Sequence, residues 1–178
     1  MAEIKIKDEV AYDRERVFKT FRDHLVELLP HLPDVENIEV KERKEVDENV
    51  TKVVNYWKAA AEEIPKLAQA FVKPEMLEWT DYATWDEKSW SCEWNMEVGF
   101  LSDAVTCKGR TTYEPKGDGK TEVVIHGELS VDGRKIPGVP RLAAGKIGGV
   151  IEGFVVRLIT PNLTTVNRGM ESYLATKE

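Results

Sequence analysis

Asp81 is the residue of this chain most in need of a chemical explanation. Strand alternation sets it on the same face as Trp79, Ala83 and Trp85. An acid on an apolar face has to be paired, neutral, or turned toward water, because burying it alone is costly. Two readings stand. One is a satisfied structural hydrogen bond, or a strand end leaning into solvent. The other is a contact to the polar head of a ligand, or a carboxyl with a raised pKa. Thr111 and Tyr113 are the other polar candidates on inward positions, and with Asp81 they form no triad for acid–base work. Cys92 and Cys107 read as small buried hydrophobes, and a redox or metal pair there lacks nearby histidines. His24 lies at the edge of a helix stripe, His126 on an outer strand face, and His31 apart from both. No phosphate-binding glycine loop, zinc-protease histidine pair or serine elbow occurs. No catalytic residue, metal site or cofactor is assigned.

Composition narrows the class. A length of 178 residues fits one domain, 1–178, large enough to bury about 70% of its extended surface without disulfide or metal support. Lys+Arg 25 against Asp+Glu 32 gives a net charge of −7, and a nucleic-acid binder needs the opposite sign to neutralise phosphates. The first residues alternate charge without an apolar core, unlike a secretory signal. The apolar run Ile147 to Ile159 is broken by Glu152 and Arg157 and is shorter than the roughly 20 residues a membrane span needs. Two cysteines suit reduced thiols, so the cytoplasm is the expected compartment.

The elements that position these residues follow from periodicity. Residues 3–11 alternate as a strand, and Asp13 caps a helix over 14–29 that Pro30 and Pro33 end. Strands are expected at 37–46 and 50–60 around Asp47-Glu48-Asn49, with a short helix near 62–71. Further strands fall at 75–85 and 89–98 around Asp86-Glu87-Lys88, then at 103–114 and 120–131 around Lys116-Gly117-Asp118-Gly119. A helical period covers 141–175, with Pro161 as an interruption.

Side chains alternate with period two, so the hairpins can be tested against one another. Pairing Trp85 with Trp90 sets Asp81 against Trp94. Pairing Cys92 with Cys107 sets Trp90 against Gly109. The last turn sets Tyr113 against Val123, Thr111 against Ile125, Gly109 against Gly127 and Cys107 against Leu129. All three share one inner face, which carries Trp79, Trp85, Trp90 and Trp94. Gly109 and Gly127 either let the sheet bend with Trp90 covering the gap, or leave open the floor of a ligand cavity.

This order of elements resembles the START-like superfamily, also called the polyketide-cyclase and lipid-transport superfamily. The resemblance spans essentially the whole chain and is carried by Ile4–Val10 with Asp13–Leu29, and by Gly138–Leu174. It implies an α+β helix-grip fold, a curved antiparallel sheet of about seven strands around a long C-terminal helix. It also implies a protein that shelters or transfers a hydrophobic small molecule, such as a lipid, a sterol or a polyketide-like aromatic. A cyclase or aromatase-like enzyme and a protein-partner module with a filled core are the alternatives. The expected ligand-binding residues are Trp79, Asp81, Trp90, Trp94, Cys107, Thr111, Ile125, Phe154 and Leu158. A gate is expected from Gly145, Gly149 and Gly153, whose face opposes Ile147, Ile151, Phe154 and Leu158 on the helical wheel; the alternative is close backbone packing. The tip Val98-Gly99-Phe100-Leu101 either packs under the helix or forms a lid that guards the mouth or touches a membrane.

Overall fold

A computed structural model describes residues 1–60 and 64–178, apart from the side chains of Phe100, Pro161 and Asn162. Strand β1 (Ala2–Val10) leads through Asp13 into helix α1 (Arg14–Asp23). The Asp13 carboxylate accepts from the Arg16 amide at 3.0 Å, the capping geometry that satisfies a free first-turn donor and is worth about 1 kcal/mol. The helix is shorter than its apolar period predicts. It closes at His24, and a 3-10 segment (Val26–His31) containing Pro30 follows. Pro30 has no amide hydrogen to continue α-helical bonding and crowds the carbonyl four residues back.

Six strands then run as a meander: β2 (Val35–Glu45), β3 (Val50–Ala59), β4 (Glu78–Asp86), β5 (Ser91–Glu97), β6 (Val105–Pro115) and β7 (Thr121–Val131). The sheet order is β1-β7-β6-β5-β4-β3-β2, antiparallel throughout. Within the expected helix at 62–71, residues 61–63 lie outside the described residues. Residues 66–71 form successive turns closed onto Pro65 and Ala68. Helix α2 (Ala144–Ala175) is continuous for 32 residues, against the expected interruption at Pro161. The carbonyl that a proline there deprives of a helical donor belongs to Arg157, on an exposed position where water can replace the lost bond.

The β6–β7 register matches the expectation at every pair: Tyr113 opposite Val123, Thr111 opposite Ile125, Gly109 opposite Gly127 and Cys107 opposite Leu129. The two earlier registers are corrected. Trp85 pairs with Cys92, Ala83 with Trp94, and Asp81 with Met96, a slide of two residues. The turn takes the four residues 87–90, and Trp90 occupies a left-handed conformation (φ 48) at its end. Cys92 faces Thr111, and Cys107 faces Met96, a slide of four. The connection from Val98 to Ala104 contains a 3-10 turn at Gly99–Leu101, closed by Leu101 on Val98 and Ala104 on Leu101. The centre of that turn therefore falls two residues later than a tight hairpin would place it. Both cysteines remain inward on adjacent strands, and both are free and buried.

The inner face packs against α1 and α2. Phe18 of α1 meets Trp85, Trp90 and Tyr113 edge-on, with centroids 5.1 to 5.5 Å apart. The second half of α2 is tied to β1 through Asp8, whose Oδ2 accepts from Asn167 Nδ2 and from Arg168, each at 2.8 Å.

Candidate functional site

Curvature leaves a cavity of about 120 Å³ between the inner face and the helices. Its sheet wall is aromatic because the inward positions of β3 to β6 are. Trp57 and Trp79, opposite each other across β3 and β4, stack at 5.8 Å with an interplanar angle of 11°. Trp85 stacks on Tyr113 at 6.0 Å. The helical wall comes from Phe21 and Leu25 at the start of the chain, and from Ile159, Leu163, Val166 and Asn167 of α2.

Asp81 projects into this space from β4. The residue as a whole is half-buried, yet its Oδ1 is covered and has no hydrogen-bond partner. Three further atoms share that condition among the described residues: Asn55 Oδ1, Trp57 Nε1 and Trp85 Nε1. All four residues line the same cavity. Burial pushes the Asp81 carboxyl up to about 7, partly opposed by the polar Asn55 amide directly across the ladder. Burial raises Cys107 to about 12 and moves Cys92 and Tyr113 well above their ordinary values. Asp81 is thus the group here that changes charge near neutral pH. The cavity presents two acceptors and two donors without partners, in a space that unsatisfied polar groups occupy only at a cost.

The expected ligand-binding residues divide. Trp79, Asp81, Trp94, Thr111 and Ile125 line the cavity, with Trp94 Nε1 donating to Thr111 Oγ1 at 3.1 Å. Trp90, Cys107, Phe154 and Leu158 do not. The turn carries the Trp90 ring onto α1, under the Arg14 guanidinium at 4.4 Å. Cys107 is fully buried beside Met96 and Leu129. Phe154 and Leu158 sit earlier on α2, beside a separate groove with Ile64 and Pro65; the cavity meets the helix from Ile159 onward.

Neither expectation for the glycine pair holds as stated. The gap is filled, but by Trp94 and not Trp90. A Cβ added at Gly109 would overlap the Trp94 ring and the His126 carbonyl, and one at Gly127 would stand 2.7 Å from the same ring. On the outer face, Gly109, Gly127 and Trp94 form the floor of an open groove rimmed by Tyr82, Lys108 and Arg110.

Of the expected gate, Gly145, Gly149 and Gly153 face solvent with nothing within 4 Å of an added Cβ. The close backbone packing lies instead at Gly148, against Gly133. At the tip, Leu101 is buried and Val98 half-buried, while the Phe100 side chain lies outside the described residues. Gly99 packs beside the carbonyls of Met76 and Glu78 at the start of β4. Asn55, Trp57 and Asn167 were not anticipated. Asn167 had a legible signal, a polar residue within the apolar stripe Ile159, Leu163, Val166 and Met170.

A seven-stranded antiparallel sheet gripping a long C-terminal helix is the helix-grip fold of the START-like and polyketide-cyclase superfamily. The chain belongs to the family described as a protein of unknown function (DUF2505), whose match covers residues 9–174. A search of curated proteins finds no match. Among solved structures, TTHA0849 from Thermus thermophilus superposes with a TM-score of 0.68 at 20% identity, covering 99% of each chain. The ZhuI aromatase/cyclase from Streptomyces gives 0.64 at 14% identity, over 97% of this chain and 95% of that one. Norcoclaurine synthase from Thalictrum flavum, in complex with dopamine and hydroxybenzaldehyde, gives 0.65 at 15% identity, over 99% and 88%. No helix among the described residues is long and apolar enough to cross a membrane.

Proposed function

We propose that the protein binds and shelters a compact hydrophobic small molecule carrying polar substituents, held between the sheet and the second half of α2. The observation that carries this reading is the convergence of four covered, unpartnered polar atoms on one aromatic-walled cavity. A merely structural core pairs such groups with protein or ordered water, or omits them. Size refines the ligand class. A lipid or drug-sized molecule needs roughly 300 Å³ or more, whereas an apolar cavity of about 150 Å³ accommodates benzene. At about 120 Å³, the space suits a molecule of one small ring, and a sterol or lipid would require the helix to move outward. Native mass spectrometry of the protein purified from cells tests the reading directly, since a bound molecule adds its own mass. Titration with single-ring aromatics should also change the tryptophan fluorescence. An unaltered mass together with an unresponsive spectrum would refute it.

A second reading is favoured by Asp81 alone. A carboxyl pushed up to about 7 exchanges protons readily near neutrality, as a general acid or base must. Two of the fold neighbours are enzymes by name, an aromatase/cyclase and norcoclaurine synthase. Turnover of a bound ring compound that disappears in Asp81→Asn, with binding retained, would establish this reading over simple sheltering.

A further inference from the structure

We propose that the cavity takes a compact organic cation, a primary or methylated ammonium on a body of about one ring, with its charge against Asp81 and its body between the tryptophan faces. This rests on the reading of the cavity as a binding site and adds the charge and chemistry of the occupant. Three features discriminate among ligand classes. None of the lining residues is lysine, arginine or histidine, so an anion would face Asp81 with nothing to neutralise either. With Asp81 ionised, a purely apolar ring would leave Asp81 Oδ1 and Asn55 Oδ1 without donors, a recurring cost for covered oxygens. A phenol brings one donor for two oxygens that sit on directly opposed residues. An ammonium brings up to three. The walls also suit a cation, because indole faces attract positive charge most strongly when water is excluded, and four tryptophans line the space. The two free indole N–H groups, on Trp57 and Trp85, add a preference for an oxygen substituent elsewhere on the same molecule.

The groups facing Asp81 leave its charge unopposed. From β5 comes Cys92, and from β6 come Cys107 and Tyr113, all held neutral by burial through pH 8. Strand β3 contributes Asn55 and Trp57, α1 contributes Phe21, and α2 contributes Asn167, none of which titrates. Ionisation of Asp81 therefore sets the charge of the whole cavity.

The test compares benzylamine with benzyl alcohol, which match in size and differ in charge, by calorimetric titration at pH 8 and pH 6. At pH 8 benzylamine should bind at least ten-fold more tightly. Its ammonium stays protonated at both values, as a lysine side chain does, while Asp81 passes from mostly ionised to mostly neutral around 7. The benzylamine affinity should therefore fall about ten-fold at pH 6, with benzyl alcohol unchanged. In Asp81→Asn the two probes should come within about two-fold of each other, with benzyl alcohol still bound as a check on folding. If that variant fails to fold, the wild-type ratio and its pH dependence decide the matter. Benzyl alcohol binding as tightly as benzylamine at pH 8 would overturn the cation while leaving the cavity a binding site. Neither probe binding at millimolar concentration would overturn both.

Discussion

Replacing Asp81 by asparagine keeps the shape of the side chain and removes its titration. In the folded protein the carboxyl is displaced from an ordinary value of 3.8 to about 7. At about 1.36 kcal/mol per pH unit this corresponds to roughly 4 kcal/mol between the protonated and ionised forms. Because the residue is half-buried, water reaching it screens part of that, and about 2–4 kcal/mol is the expected effect. The sign follows from proton binding. Between pH 4 and 7 the folded state holds a proton that the unfolded chain has lost, so stability falls as pH rises. The contribution is whole below about 4 and is lost as pH passes through about 7. Urea denaturation of both proteins at pH 5 and pH 8 measures it, with equal slopes confirming a common unfolded state. From pH 5 to pH 8, about two of the roughly three pH units between the two values, the wild type should lose about 1–2.5 kcal/mol relative to Asp81→Asn. A wild type that instead gains on the variant over this range would mean that Asp81 is ionised and paired, and the account of the cavity would be wrong.

Three further outcomes are expected. Gly109→Ala and Gly127→Ala should each destabilise by about 1–3 kcal/mol, since the new methyl overlaps the Trp94 ring; thermal denaturation reads the change. Alanine at Gly145, Gly149 and Gly153, where nothing stands within 4 Å, should stabilise by about 0.8–1 kcal/mol each, and smaller gains would show that the helix tolerates its glycines for another reason. If these glycines make a gate, hydrogen exchange in α2 should be faster through Gly145–Gly153 than beyond residue 163, and benzylamine should slow it. Equal protection along the helix would remove the gate.

The face of each strand was legible in the sequence, but the partners along it were less so. Alternation detects a slip of one residue, because every side chain changes sides. It is blind to slips of two or four, which is why Cys92 and Cys107 were expected opposite each other and lie four residues out of step. The β6–β7 register was readable because the glycine-rich turn at Gly117 and Gly119, both with positive φ, fixes the loop closely. The turn ending in Trp90 carries no such signal, since a tryptophan at φ 48 is rare. Half the polar complement of the cavity escaped notice for a different reason. Asn55 and Trp57 reach it across the pairing of β3 with β4, and those strands are joined by residues 60–77, too long a connection to set a register from turn chemistry. Asp81 stood out because its neighbours two residues away on β4 are Trp79 and Ala83, so its charge contrasted with them.

Trp94 gives the sheet an unusual wall. At Gly109 and Gly127 no side chain thickens the backbone, and the Trp94 indole lies against that bare stretch of the paired strands β5, β6 and β7. The ladder beneath it is continuous, so cutting Trp94 back to alanine would deepen the cavity down to the sheet without opening it to the outer surface. Traffic in and out would still run past the helices alone. The ring therefore sets the depth of the chamber, and its removal would admit a bulkier guest without hastening the departure of a small one.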